Sequence, residues 1–157
     1  MKFLSTKELK ENSALKTLIY TLLCFFILFL ILDLLLRHLN IGLTYTVALA
    51  TIRGDEEAFI EPILLESLLL IAHMDLFFSM ILLLILTSIQ IRLSSKKRVS
   101  KTLIHALSIT ALMAPIALLL AYFTGLYLVI IWIVLFITWH ILAILVSLKS
   151  IYLVYRL

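Results

Sequence analysis

Six ionisable side chains lie within or at the ends of long apolar runs in a 157-residue chain: Asp33, Glu66, His73, Asp75, His105 and His140. Imidazoles and carboxylates in such surroundings can ligate a metal or haem, pass protons, or tie helices together. An aspartate at the centre of a membrane helix costs about 2.5 to 3.5 kcal/mol on insertion scales, so these groups are expected to be covered by protein, paired or functional. The stretch "LLIAHMDLFF", residues 69–78, concentrates the question by placing His73 and Asp75 two positions apart.

Helical geometry separates them. At about 100° per residue, Glu66 and His73 fall within about 20° of each other, on a face that continues through Met80 to Thr87. Asp75 falls about 200° from His73 and shares the opposite face with Ser79. The helix must then be covered on two sides, and a bundle interior covers one broad stripe. The second polar face points to a neighbouring groove or to another subunit.

The elements that position these residues follow from composition. The chain is 64% hydrophobic and 14% charged, with a mean hydropathy of +1.22, outside the range of soluble globular domains. Four apolar segments, at about 18–36, 63–91, 103–123 and 126–148, are each long enough to cross a hydrocarbon core about 30 Å thick. They lack the alternation of barrel strands, so helices satisfy the backbone. The expected fold is an all-α integral membrane four-helix bundle, up-down-up-down, in a single domain spanning 1–157. Two hairpins are expected, the first enclosing an outer loop (37–62), the second closed at "FTGLY", with a cytoplasmic loop (92–102) between them. Pro62 is expected in the first turn of the second helix.

Lys and Arg set the orientation. Lys2, Lys7, Lys10 and Lys16 precede the first segment, "RLSSKKRVSK" links the second to the third, and Lys149 and Arg156 follow the fourth, whereas the other side carries Arg37 and Arg53. Both termini are therefore expected in the cytoplasm. The net charge of +4 reads as topology rather than nucleic-acid binding, since no basic stretch is interleaved with stacking aromatics. The first segment is too long for a signal-peptide core and has no small-x-small cleavage site, so it reads as a retained anchor. The single cysteine, Cys24, excludes an intrachain disulfide and a CxxC site, and reads as inert packing inside the first helix.

The outer loop "RHLNIGLTYTVALATIRGDEEAFIEP" is too long and apolar for a bare connector. "LTYTVALATI" suggests a short helix on the bilayer surface, followed by a "RGDEE" turn. Asp55, Glu56, Glu57 and Glu61 make it acidic, yet their spacing is not that of a calcium loop, and the loop reads as a solvated turn or docking surface.

The remaining candidates sort by depth. Asp33 has Arg37 four residues on, a spacing that suits a local ion pair; His38 and His105 lie near the interfaces. His140 is deeper, on a face with Phe136, Ala143 and Ser147 suited to close helix contact, and Trp139 beside it needs a partner for its indole N–H. Pro115 is expected to kink the third helix and free a carbonyl. Haem b needs two axial imidazoles facing each other at one depth, and His73 with His140 is the candidate pair. His105 and His140 are offset by roughly 7 Å along the axis. No two histidines have the i,i+3 or i,i+4 spacing of a metal site.

The run "GDEEAFIEPILLESLLLIAHMDLFF" within this layout resembles small uncharacterised bacterial four-helix inner-membrane proteins, whose second helix enters a His-x-His-x-Phe motif after a Leu-rich turn. His73 matches the first histidine, Asp75 replaces the second, and Phe77 matches the aromatic. The resemblance implies a multi-pass protein of the bacterial inner membrane and no particular activity. Three functional classes follow. One is a non-catalytic accessory or assembly subunit of a larger membrane complex, a respiratory one among the candidates, contacting lipid and other membrane subunits or itself. Another is a b-haem or quinone-linked electron carrier using His73 and His140. The third is a proton or ion pathway through Glu66, His73, Asp75 and His140. An active site of its own is not expected, since no nucleophile-base pair, phosphate loop or hydrolase metal spacing appears.

Overall fold

The computed structural model describes residues 12–93 and 97–156. The basic leader, residues 1–11, and residues 94–96 of the basic link lie outside the described residues. The helices are α1 (Ser13–Asn40), α2 (Tyr45–Arg53), α3 (Leu65–Leu93), α4 (Lys97–Thr124) and α5 (Leu126–Tyr155). All but α2 are long and apolar enough to cross a membrane.

The four long helices overrun the apolar segments that nucleate them. α1 gains a turn at its start because Asn12 Oδ1 accepts the Leu15 N–H at 3.1 Å, capping an orphan donor. It ends where Ile41 and Gly42 both donate to the Arg37 carbonyl. Gly42 then turns the chain at φ 89°, and a Cβ there would meet Val47 Cγ1 at 2.5 Å. With 28 residues, α1 is about 42 Å long, so its ends reach past the hydrocarbon core. The loop expected at 92–102 is shorter for the same reason: α3 runs to Leu93 and α4 starts at Lys97.

Each long helix buries a stripe at alternating spacings of three and four, the pattern of knobs-into-holes packing. On α1 it is Leu23, Phe26, Leu30, Asp33 and Arg37, with Phe26 and Asp33 partly buried. On α3, Leu68 and Ala72 lead through Asp75 to Ser79, Leu82 and Leu86. α4 offers Leu107, Ala111, Ala114, Leu118 and Ala121, a small-residue seam that admits the large Trp132, Phe136 and Trp139 of α5. Close approach of this kind is what holds helices together in lipid, where no hydrophobic drive separates protein from solvent.

The helices pair differently from the expected hairpins. α1 packs chiefly along α5 rather than along α3, and α5 touches each of the other four helices. The first two membrane segments are thus not a packed hairpin; the connection between them is long enough to let them part and is itself folded. α2 buries Ala48 and Ile52 against Leu118, Val129 and Trp132. Its Thr51 carbonyl accepts the Ile63 N–H at 2.9 Å, which holds Pro62 in an extended segment before α3 rather than in its first turn. Arg53 reaches the Phe123 carbonyl at the end of α4, over the α4–α5 turn made by Gly125 at φ 101°.

The "RGDEE" stretch is a turn closed by the Asp55–Ile60 bridge. Asp55 Oδ1 accepts the N–H groups of Glu57 and Ala58, so this carboxylate is engaged as a turn cap.

Candidate functional site: a buried ionic layer

The interior divides into two apolar clusters. One, around α2, gathers Leu68, Ala114, Leu118, Trp132 and Phe136; the other gathers Leu23, Leu30, Leu82, Ala111 and Trp139. Asp33, Arg37, Asp75 and His140 form a polar layer where the two meet. Leu30 precedes Asp33, Leu82 follows Asp75, and Phe136 and Trp139 precede His140, so every contributing helix returns to apolar packing within about two turns.

Two cross-helix pairs build the layer. The Arg37 guanidinium (Nη2) pairs with Asp75 Oδ1, joining α1 to α3 with side chains 7% and 16% exposed. His140 Nε2 lies 2.9 Å from Asp33 Oδ2, joining α5 to α1. His140 is fully buried, and its other nitrogen, Nδ1, donates to the Phe136 carbonyl at 2.8 Å. The Phe136 ring contacts both pairs: the Arg37 guanidinium sits 5.3 Å from its centroid and the His140 imidazole 4.2 Å. A guanidinium over a ring face is attractive.

This pairing differs from the local Asp33–Arg37 ion pair expected from spacing. The i,i+4 relation does put both on one face, but that face points into the bundle, where each finds a partner on another helix. The signal was available in the heptad stripe Leu23, Phe26, Leu30, Asp33, Arg37, whose last two positions are polar. The partner choice was not, because it depends on how α1 lies against α3 and α5.

The hydrogen bonds fix a proton count. A carbonyl only accepts, so Nδ1 carries a hydrogen. Nε2 and Oδ2 at 2.9 Å then need one proton between them, as imidazolium with carboxylate or imidazole with carboxylic acid; lone pair against lone pair would repel. With that proton, two acidic groups are balanced by Arg37 and the shared proton, and the layer is neutral. A neutral layer avoids the penalty of isolated charge in low dielectric.

The other candidates lie elsewhere. Glu66 and His73 are exposed on the outside of α3, His38 is exposed at the end of α1, and His105 is exposed on α4. Cys24 is also exposed, not packed inside α1. The structure does not bring His73 and His140 together, and both ring nitrogens of His140 are engaged, so these residues do not fit a bis-imidazole haem. A pathway through Glu66, His73, Asp75 and His140 is likewise split, two outside and two inside. Among the described residues no three His, Cys, Asp or Glu side chains gather as a metal site.

Some buried polar groups gave no sequence signal. Gln90 on α3 accepts from Ser150 on α5 at 3.2 Å, both fully buried, while Gln90 Nε2 and the Trp132 indole N–H have no partner. The buried indole N–H without a partner among the described residues is that of Trp132, about two turns from Trp139.

A family model described as a transmembrane helical domain matches residues 42–156, the stretch from α2 through α5. It includes Asp75 and His140, whereas Asp33 and Arg37 precede it. With the four apolar helices, the match indicates a multi-pass membrane protein; a His-x-His-x-Phe pattern is not part of what it shows. No curated protein matches the chain, and no solved structure does.

Proposed function

The chain belongs to the Aq_1264_TM family of transmembrane helical domains, and on that premise we propose that it is a non-catalytic accessory or assembly subunit of a larger complex in the bacterial inner membrane. One observation carries the reading: of the two polar faces of α3, the bundle covers only that of Asp75 and Ser79. Glu66 and His73 remain exposed, and His73 lies about 10 Å along the helix from Glu66, at a depth where lipid tails offer no hydrogen-bond partner. The occupant this face suits is a transmembrane helix of another protein carrying a donor or acceptor opposite His73. The distribution of Lys and Arg supports an up-down-up-down arrangement with both termini cytoplasmic.

The experiment is extraction of the native membrane in a mild detergent, after a photo-crosslinking side chain has been placed at Leu70 or Met80, beside His73 on the outer face of α3. A crosslink to one membrane protein, weakened by His73→Leu, supports the reading. Migration as a lone chain, with crosslinks to lipid only, overturns it.

A further inference from the structure

The ionic layer borders a cavity of about 30 Å³, lined among others by Asp33, Asp75, Ser79, Ala111, Pro115 and Trp139. That volume holds about one or two water molecules, and a buried water needs two to four polar partners. Asp33, Asp75 and Ser79 are its polar lining residues, and Pro115, having no N–H, cannot supply the usual helical bond to the carbonyl of Ala111. The cavity therefore lies between all four long helices and touches one member of each ion pair.

We infer that this layer is an intramembrane proton-binding site, its one exchangeable proton held between Asp33 Oδ2 and His140 Nε2 and reached through water in the cavity. The inventory of facing groups is short. α1 supplies Asp33 and Arg37, α3 supplies Asp75, α5 supplies His140, and α4 lines the cavity with no titratable side chain. Arg37 is always protonated and is paired with Asp75, so the proton shared within the layer is the one between Asp33 and His140. On release it passes to a cavity water as hydronium, leaving Asp33 as carboxylate and His140 as neutral imidazole with its proton on Nδ1. The layer then carries one net negative charge, and Nε2 and Oδ2 repel, so release also loosens α1 from α5. Rebinding reverses both changes. Asp33, with its side chain 23% exposed, is the most accessible member of the layer.

The site stands apart from the subunit reading, since it needs no partner. The test is infrared difference spectroscopy of the full chain in lipid nanodiscs between acidic and alkaline buffer, in H2O and in D2O. The expected result is a carboxyl band and an imidazole band that change at one midpoint and both shift in D2O. Asp33→Asn should abolish the carboxyl change and His140→Gln the ring change, while His73→Gln and His105→Gln leave the pair intact. Wild-type spectra with no coupled carboxyl and imidazole change overturn the inference even if the buried variants fail to fold. So do coupled bands that stay unshifted after D2O equilibration, because the proton would then be sealed from water.

Discussion

Asp33 on α1 lies 2.9 Å from His140 on α5, while Arg37, one turn further along α1, is carried to Asp75 on α3. One helix thus supplies an acid to one neighbour and a base to another, and its two consecutive turns fasten both sides of the bundle. The asymmetry of these pairs makes the first predictions specific.

Removing Asp75 strands a guanidinium that cannot lose its proton. Asp75→Ala is expected to destabilise the fold by about 3 kcal/mol, whereas Arg37→Met with Asp75→Leu should restore most of that loss. Reversible unfolding in mixed micelles measures both. A double variant as unstable as the single one would mean that the pair contributes more than its own mutual neutralisation.

Removing Asp33 is expected to be milder, because the stranded imidazole can release a proton and become neutral. Asp33→Ala should cost about 1 to 2 kcal/mol, within the range of interhelical hydrogen bonds in membranes. The same unfolding assay ranks it against Asp75→Ala, and an Asp33 effect equal to or larger than the Asp75 effect would contradict the assignment.

The α4 seam predicts the opposite kind of damage. Ala114 is 2% exposed in the cluster that holds Phe136 and Trp132, so Ala114→Leu overpacks the α4–α5 contact and should destabilise by about 1 to 3 kcal/mol. Leu112→Ala, at an exposed position on the same helix, is the control and should stay within about 0.5 kcal/mol of the parent.

α2 is fastened at its end by the Arg53 bond to the Phe123 carbonyl. Arg53→Ala should raise amide hydrogen exchange across residues 45–53 while leaving α5 protected, since α2 keeps its apolar contacts through Ala48 and Ile52. Exchange followed by mass spectrometry reads this directly, and unchanged protection in α2 would remove Arg53 from its anchoring.

His73→Leu should leave the isolated chain as stable as the parent, within about 0.5 kcal/mol, because the side chain is exposed. A thermal melt of the purified protein checks this. A large loss would place His73 in an intramolecular role instead of a docking one.

The amino-acid sequence by itself determined the solvent, the number of long membrane helices and which residues share a helical face. Those properties are local: apolar run length answers to bilayer thickness, and angular position follows from 100° per residue, so His73 and Asp75 were separable without coordinates. Even the stripe that ends in Asp33 and Arg37 was written at heptad spacing. Only the tertiary structure decided which face of α3 is covered, that α1 lies along α5 instead of pairing with α3, and that Asp33 meets His140. The reason is that in lipid all apolar faces are nearly equivalent, so the arrangement of helices depends on small-residue fit and on a few polar pairs whose members stand 38 and 107 residues apart. A spacing rule within one helix contains no term for either.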